Sequence, residues 1–129
     1  MKYLGKALIF SLLLAAVVCA QNAQKKTGDP NKFAVILVGA GGEPEYAKVF
    51  EQWTTDLKAA LTEDYGFDTQ KLLVVQNTKA IDVRNTFAQL KSQMDANNVL
   101  FVFLIGHGSF DGKESKFNLV GPDLAATDY

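Results

Sequence analysis

Apolar and polar positions along this chain follow two rhythms, and the changes from one to the other mark its elements. Phe33 to Val38 and Val99 to Ile105 are uninterrupted apolar runs rich in β-branched and aromatic side chains. Such runs predict strands buried on both faces, as in a parallel sheet covered by helices. A shorter run, Lys71 to Gln76 with Leu72 to Val75 at its centre, predicts a further strand. Between these runs the apolar spacing changes to three and four. Tyr46, Val49, Phe50, Trp53, Leu57, Ala60 and Leu61 then share one helical face, with Glu51, Asp56, Lys58 and Glu63 opposite. Val83, Phe87, Leu90 and Met94 form the stripe of a second amphipathic helix.

The punctuation agrees with this division. Gly39-Ala40-Gly41-Gly42 closes the first strand, and Pro44 suits the first turn of the helix that follows. Gly66 is placed to end that helix in the left-handed conformation, and Thr78 is the expected N-cap of the second helix. Asp95 to Asn98 breaks the second helix before the third strand. Beyond His107 the chain becomes short and polar. Asp111-Gly112 reads as a hairpin turn, Lys116 to Leu119 as the returning strand, and Gly121-Pro122-Asp123 as another turn. The order β, α, β, α, β implies a parallel sheet with helices on its faces. Three strands are few for that architecture, which commonly carries about five or six. The expectation is therefore an α/β domain over 32–129, truncated after its third strand, preceded by a flexible leader over 21–31.

Residues 1–20 are set apart from the fold. Lys2 and Lys6 precede the apolar run Ala7 to Val18, and Val18-Cys19-Ala20 offers small residues for cleavage before Gln21. This is the pattern of a secretory signal peptide, and the run is shorter than the roughly 20 residues of a spanning helix. Val18 disfavours a lipoprotein route through Cys19. The expected location is exported, periplasmic or extracellular, with no stable membrane span after processing. Loss of Lys2 and Lys6 leaves eleven basic against fourteen acidic residues, a net charge of minus three and no basic stripe for nucleic acid. Cys19, the sole cysteine of the chain, leaves with the signal, which excludes a disulfide, a thiolate metal site or a cysteine nucleophile in residues 21–129. Neither a metal nor a cofactor is expected.

The chemistry concentrates where the third strand ends. His107 is the only histidine, and it lies between Gly106 and Gly108. Imidazole titrates near neutral pH and serves as general acid or base, and the unobstructed N–H of Gly108 is suited to stabilising an oxyanion. Ser109 is a poor nucleophile beside His107 because adjacent side chains in a turn rarely converge. Asp111 is more simply read as turn chemistry than as a partner orienting His107. The glycine turn before the first helix invites comparison with a phosphate loop, but Pro44 breaks the dinucleotide fingerprint, and Glu43 and Glu45 repel an anion.

The apolar strand ending in His107-Gly108 and followed by Ser109-Phe110-Asp111-Gly112 resembles the histidine block of the caspase and legumain clan of cysteine peptidases, most closely the bacterial legumain-like members. The likeness extends over about residues 33 to 125. It implies a three-layer α/β/α fold of the caspase-hemoglobinase type, with His107 as catalytic histidine and Gly108 as oxyanion donor. It also implies a peptide or protein substrate, and a cysteine nucleophile at the end of a following strand. By the same resemblance Gly41, Gly42 and Glu43, with Ser109 and Asp111, border the substrate cleft, where Glu43 and Glu45 favour a basic residue at the cleavage site. Lacking the cysteine, the chain alone is expected to be inactive. The alternative is a non-catalytic homologue that binds a peptide or protein in the same cleft.

Overall fold

A computed structural model of the chain describes residues 28–128, so the segment expected to be a signal peptide and most of the expected leader lie outside the described residues. Strand β1 spans Lys32–Val38, helix α1 Pro44–Glu63, β2 Leu72–Val75, helix α2 Ala80–Gln93 and β3 Val99–Ile105. They form a mixed α/β unit whose parallel sheet has the order β2-β1-β3. Lys32 stands opposite Val99 and Val38 opposite Ile105, while Ala34 to Leu37 pair with Leu72 to Val75. Three short strands, β4 (Gly108–Phe110), β5 (Ser115–Phe117) and β6 (Leu124–Ala125), make a separate antiparallel sheet in that order. The hairpin expected around Asp111-Gly112 is thus present. At the other end, the Asp29 N–H donates to the Gly66 carbonyl and Asp29 bridges Phe67, which ties residues just before β1 to the end of α1.

β1 is hydrogen-bonded on both sides, and its side chains alternate between two cores. Phe33, Val35 and Leu37 pack with Val83 and Leu90 of α2 and with Phe117, Leu119 and Leu124 of the hairpin region. Ala34, Ile36 and Val38 pack with Phe50 and Leu61 of α1 and with Phe67, Leu72 and Ile105. Each fully buried aliphatic side chain in these clusters contributes on the order of 1.5–3 kcal/mol. The helix ends follow local chemistry. Pro44 opens α1, and Gly66 adopts φ 69° just after it, in the left-handed region that suits glycine.

Three local expectations are corrected. Thr78 is not the N-cap of α2. Lys79 occupies that position, with its N–H donating to Asp82 Oδ2, while Thr78 is buried and its hydroxyl donates to the Val75 carbonyl. The apolar face of α1 is not wholly core: Phe50 and Leu61 are buried together with Thr54, whereas Tyr46, Val49 and Trp53 are exposed. Tyr46 lies against His107 on the β3 side, while Ala47 and Glu51 look over the β1–β2 side. Tyr46, Val49 and Trp53 therefore form an exposed apolar flank of α1. β3, finally, is not buried on both faces. Among the described residues it is an edge strand bonded to β1 alone, with Val99, Phe101, Val102 and Leu104 exposed.

If β1 is the centre of both cores, truncating it is costly. Ile36→Ala should lower unfolding free energy by about 2–5 kcal/mol in chemical denaturation. Ile81→Ala, at an exposed position of α2, should stay within about 0.5 kcal/mol of the parent. Equal losses at the two sites would contradict this division of the core.

Candidate functional site

Parallel strands deliver their residues to one sheet end, and β3 releases His107 at the carboxyl end of the sheet. The backbone there is held from several sides. Ile105 accepts from the Gly39 N–H at 2.9 Å, the His107 carbonyl accepts from the Asn118 N–H at 3.0 Å, and the Asn118 carbonyl accepts from the Ala40 N–H at 3.0 Å. This knot joins the ends of β1 and β3 to the segment after β5. It also explains two of the glycines. A Cβ on Gly39 would come within 2.3 Å of the Asn118 carbonyl oxygen, and one on Gly106 would come within 2.8 Å of the Phe117 ring. Asn118 was not legible as a site residue, since its backbone does the joining and any residue type offers those groups. Its side-chain Oδ1 is buried without a partner among the described residues.

The imidazole of His107 is partly exposed and turns toward α1. Its ring meets Tyr46 edge-on at 4.8 Å between centroids and 80°, and Phe50 at 5.1 Å and 64°. Such tilted ring contacts help to hold the imidazole in place. Among the described residues no hydrogen bond engages the imidazole, which leaves both nitrogens for a ligand or solvent. Tyr46 and Phe50 read from sequence as packing residues of the helix stripe, so their place beside the histidine comes only from the fold.

Gly108 begins β4. In an antiparallel ladder hydrogen-bonded and non-hydrogen-bonded pairs alternate. Asp111 donates to Glu114, and Asn118 to His107, which makes those two pairs the bonded kind. Gly108, paired with Phe117, therefore falls at a non-bonded position, and its N–H points out of the ladder. A cleft of about 470 Å³ opens here, lined by Leu104, Gly106, His107, Gly108, Lys116 and Leu124 among others. His107 and Gly108 thus share one cleft, and an outward backbone donor follows the imidazole by a single residue.

The other expected cleft residues do not join them. Gly41 lines a different cavity of about 380 Å³ between the ends of β1 and β2, with Lys48, Glu51 and Asn77. Gly42 has φ 67° and no atom near its Cβ position, so it serves the turn, and Glu43 is the exposed residue preceding α1. Ser109 is exposed and pairs with Lys116 within the hairpin. Asp111 behaves as turn chemistry: its Oδ1 accepts from the N–H groups of Lys113 and Glu114, both at 2.9 Å, and its Oδ2 lies 3.9 Å from Lys116 Nζ. Among the described residues no cluster of histidine, cysteine, aspartate or glutamate is arranged to hold a metal, and no helix is long and apolar enough to cross a membrane.

Hydrogen bonds from Glu114 and then Lys113 hold the Asp111 carboxyl below its usual value of 3.8. The turn therefore keeps its full charge-assisted bonding above that value and loses it as pH falls through the lowered one. Acid titration followed by the amide resonances of Lys113 and Glu114 should show a midpoint below 3.8, and a midpoint above it would refute the pairing. Gly106→Ala should lower thermal stability by forcing Phe117 aside, more than Gly112→Ser does, because no atom lies near a Cβ at Gly112 and only its φ of 93° is strained there. Comparison with known proteins returned no matching family model, curated protein or solved structure.

Proposed function

We propose that this chain is the N-terminal, histidine-bearing part of an exported, legumain-like cysteine endopeptidase of three-layer α/β/α architecture. The observation that carries the reading is that His107, at the carboxyl end of β3, and Gly108, whose N–H points out of the hairpin ladder, line one cleft. In acyl transfer a thiolate attacks the peptide carbonyl, the oxygen gains negative charge, and the leaving amine must gain a proton. The Gly108 N–H supplies the donor for the oxyanion, and His107 delivers the proton. Contacts with the Tyr46 and Phe50 rings hold the imidazole in place for that transfer. The thiol comes from outside residues 28–128, because Cys19 is the only cysteine of the sequence. Glu43 and Glu45 lie outside the His107 cleft, within a turn of Tyr46 at the start of α1, and favour a basic residue only in a substrate that extends past Tyr46.

The lack of a thiol in the same cleft supports a second reading, a non-catalytic module that binds an extended peptide beside Lys116. One set of measurements separates the two. The complete product of the gene should hydrolyse a fluorogenic peptide amide with arginine before the scissile bond, and iodoacetamide should block the reaction. His107→Ala should reduce turnover at least about 100-fold, the scale of general acid–base catalysis, with little change in melting temperature. Thiol-independent turnover, or full activity in His107→Ala, would reject the peptidase reading. Peptide binding without any turnover would favour the second. Equal cleavage after arginine and aspartate would remove the inferred role of Glu43 and Glu45.

A further inference from the structure

An imidazole that moves protons is commonly oriented by a third group hydrogen-bonded to it. Among the described residues His107 has no such group. The acidic side chain nearest to it along the chain is engaged elsewhere: Asp111 Oδ1 accepts from the N–H groups of Lys113 and Glu114, and its Oδ2 lies 3.9 Å from Lys116 Nζ. Gly106 and Gly108 flank the histidine without side chains, so its own segment gives the ring no lateral support. A side chain in that position has three staggered rotamers to choose from, and what selects one must come from another element. That element is α1.

The two α1 rings that meet the imidazole differ in what else they do. Phe50 is 4% exposed and packs in the core with Ile36, Leu61 and Ile105, so the fold needs it with or without the histidine. Tyr46 is 47% exposed and belongs to neither core cluster. Its ring contacts are His107, at 4.8 Å between centroids, and Phe50, at 6.4 Å and four residues on along the same helix face. Exposure on α1 does not by itself bring a ring to the histidine, because Trp53 meets Phe50 at 5.9 Å and forms no ring pair with His107. The Tyr46 backbone is placed by the start of the helix, where its N–H donates to the Glu43 carbonyl at 3.1 Å. We propose that Tyr46 is the positioning residue of the His107 site, holding the imidazole in one rotamer by ring contact where a hydrogen-bonded third group would otherwise do so. The ring performs this task and the hydroxyl has no part in it. Its consequence for catalysis rests on the peptidase reading, while the placement of the imidazole does not.

Nuclear magnetic resonance on the isotopically labelled chain tests the placement without any turnover. Nuclear Overhauser contacts should link the Tyr46 and His107 rings, and the three-bond couplings from His107 Cγ to its backbone nitrogen and carbonyl carbon should report a single χ1 rotamer. Tyr46→Phe should keep that rotamer. Tyr46→Leu should average the couplings while the amide spectrum of β1 stays in place, and Trp53→Leu should leave them unchanged. Missing ring contacts in the wild-type chain would overturn the proposal without recourse to a variant. So would a single rotamer in Tyr46→Leu, or averaging in Trp53→Leu as large as in Tyr46→Leu. In the complete product of the gene, Tyr46→Leu should lower kcat about 3- to 10-fold, the population lost when one of three rotamers is no longer selected by a ring contact. KM should stay the same and Tyr46→Phe should keep the parent kcat, because the residue acts through the imidazole and not on the substrate. A raised KM at constant kcat, or equal losses in the Phe and Leu variants, would also overturn the assignment. Absence of turnover in the parent counts against the peptidase reading alone, and the rotamer measurement then decides the role of Tyr46.

Discussion

Both cores depend on β1. Among the described residues it is the one strand of the parallel sheet with neighbours on each side, and its alternate side chains enter two separate clusters. Hydrogen bonding to β2 and β3 satisfies its backbone, and burial of Phe33 through Val38 on both faces supplies the apolar area that holds α1 and α2 in place. Remove that strand and neither helix retains a surface to cover. The helices are also weakly specified on their own, since α1 buries only Phe50, Thr54 and Leu61 over twenty residues. Their placement is a tertiary effect of the strand they cover.

The carboxyl end of the sheet is built by close backbone approach. Gly39 and Gly106 admit Asn118 and the Phe117 ring, respectively, at distances no side chain would tolerate, and this draws the antiparallel hairpin down onto the ends of β1 and β3. His107 is the first residue beyond that closure. Its backbone is fixed by Asn118, and its ring is held by two aromatic rings from α1. A side chain anchored at both levels but unbonded at its nitrogens is preorganised for proton transfer or ligand binding, because little ordering remains to be done when a ligand arrives.

The same geometry leaves a cost at the sheet margin. With β3 outermost among the described residues, hydrophobic groups that read as core along the sequence reach solvent, and a flank of α1 is exposed as well. Proteins commonly protect such an edge with charge, proline or a bulge. Here the strand has none of these. The site and the open edge also lie close together, since Leu104 of β3 borders the His107 cleft.

The local order of the fold was readable without coordinates because period and punctuation are properties of consecutive residues. The three parallel strands, the two helices, the left-handed Gly66 and the Asp111-Gly112 hairpin all follow from spacing, backbone freedom and turn chemistry. The peculiarity of His107-Gly108 was likewise visible as sequence. What the sequence could not decide was which strand lies in the middle. An apolar run looks the same in a central strand and at an edge, so β3 read as buried when it is half exposed, and Trp53 read as core when it is exposed. The partners of His107 were hidden for a related reason. Tyr46 and Phe50 sit on a helix more than fifty residues earlier in the chain, and only the packing of α1 across the sheet brings their rings to the imidazole. The division of the glycine loop from the histidine cleft, with Gly41 facing one cavity and Gly108 another, also depends on where the hairpin closes in space. Residue type and spacing determined the elements; long-range burial decided which of their surfaces meet.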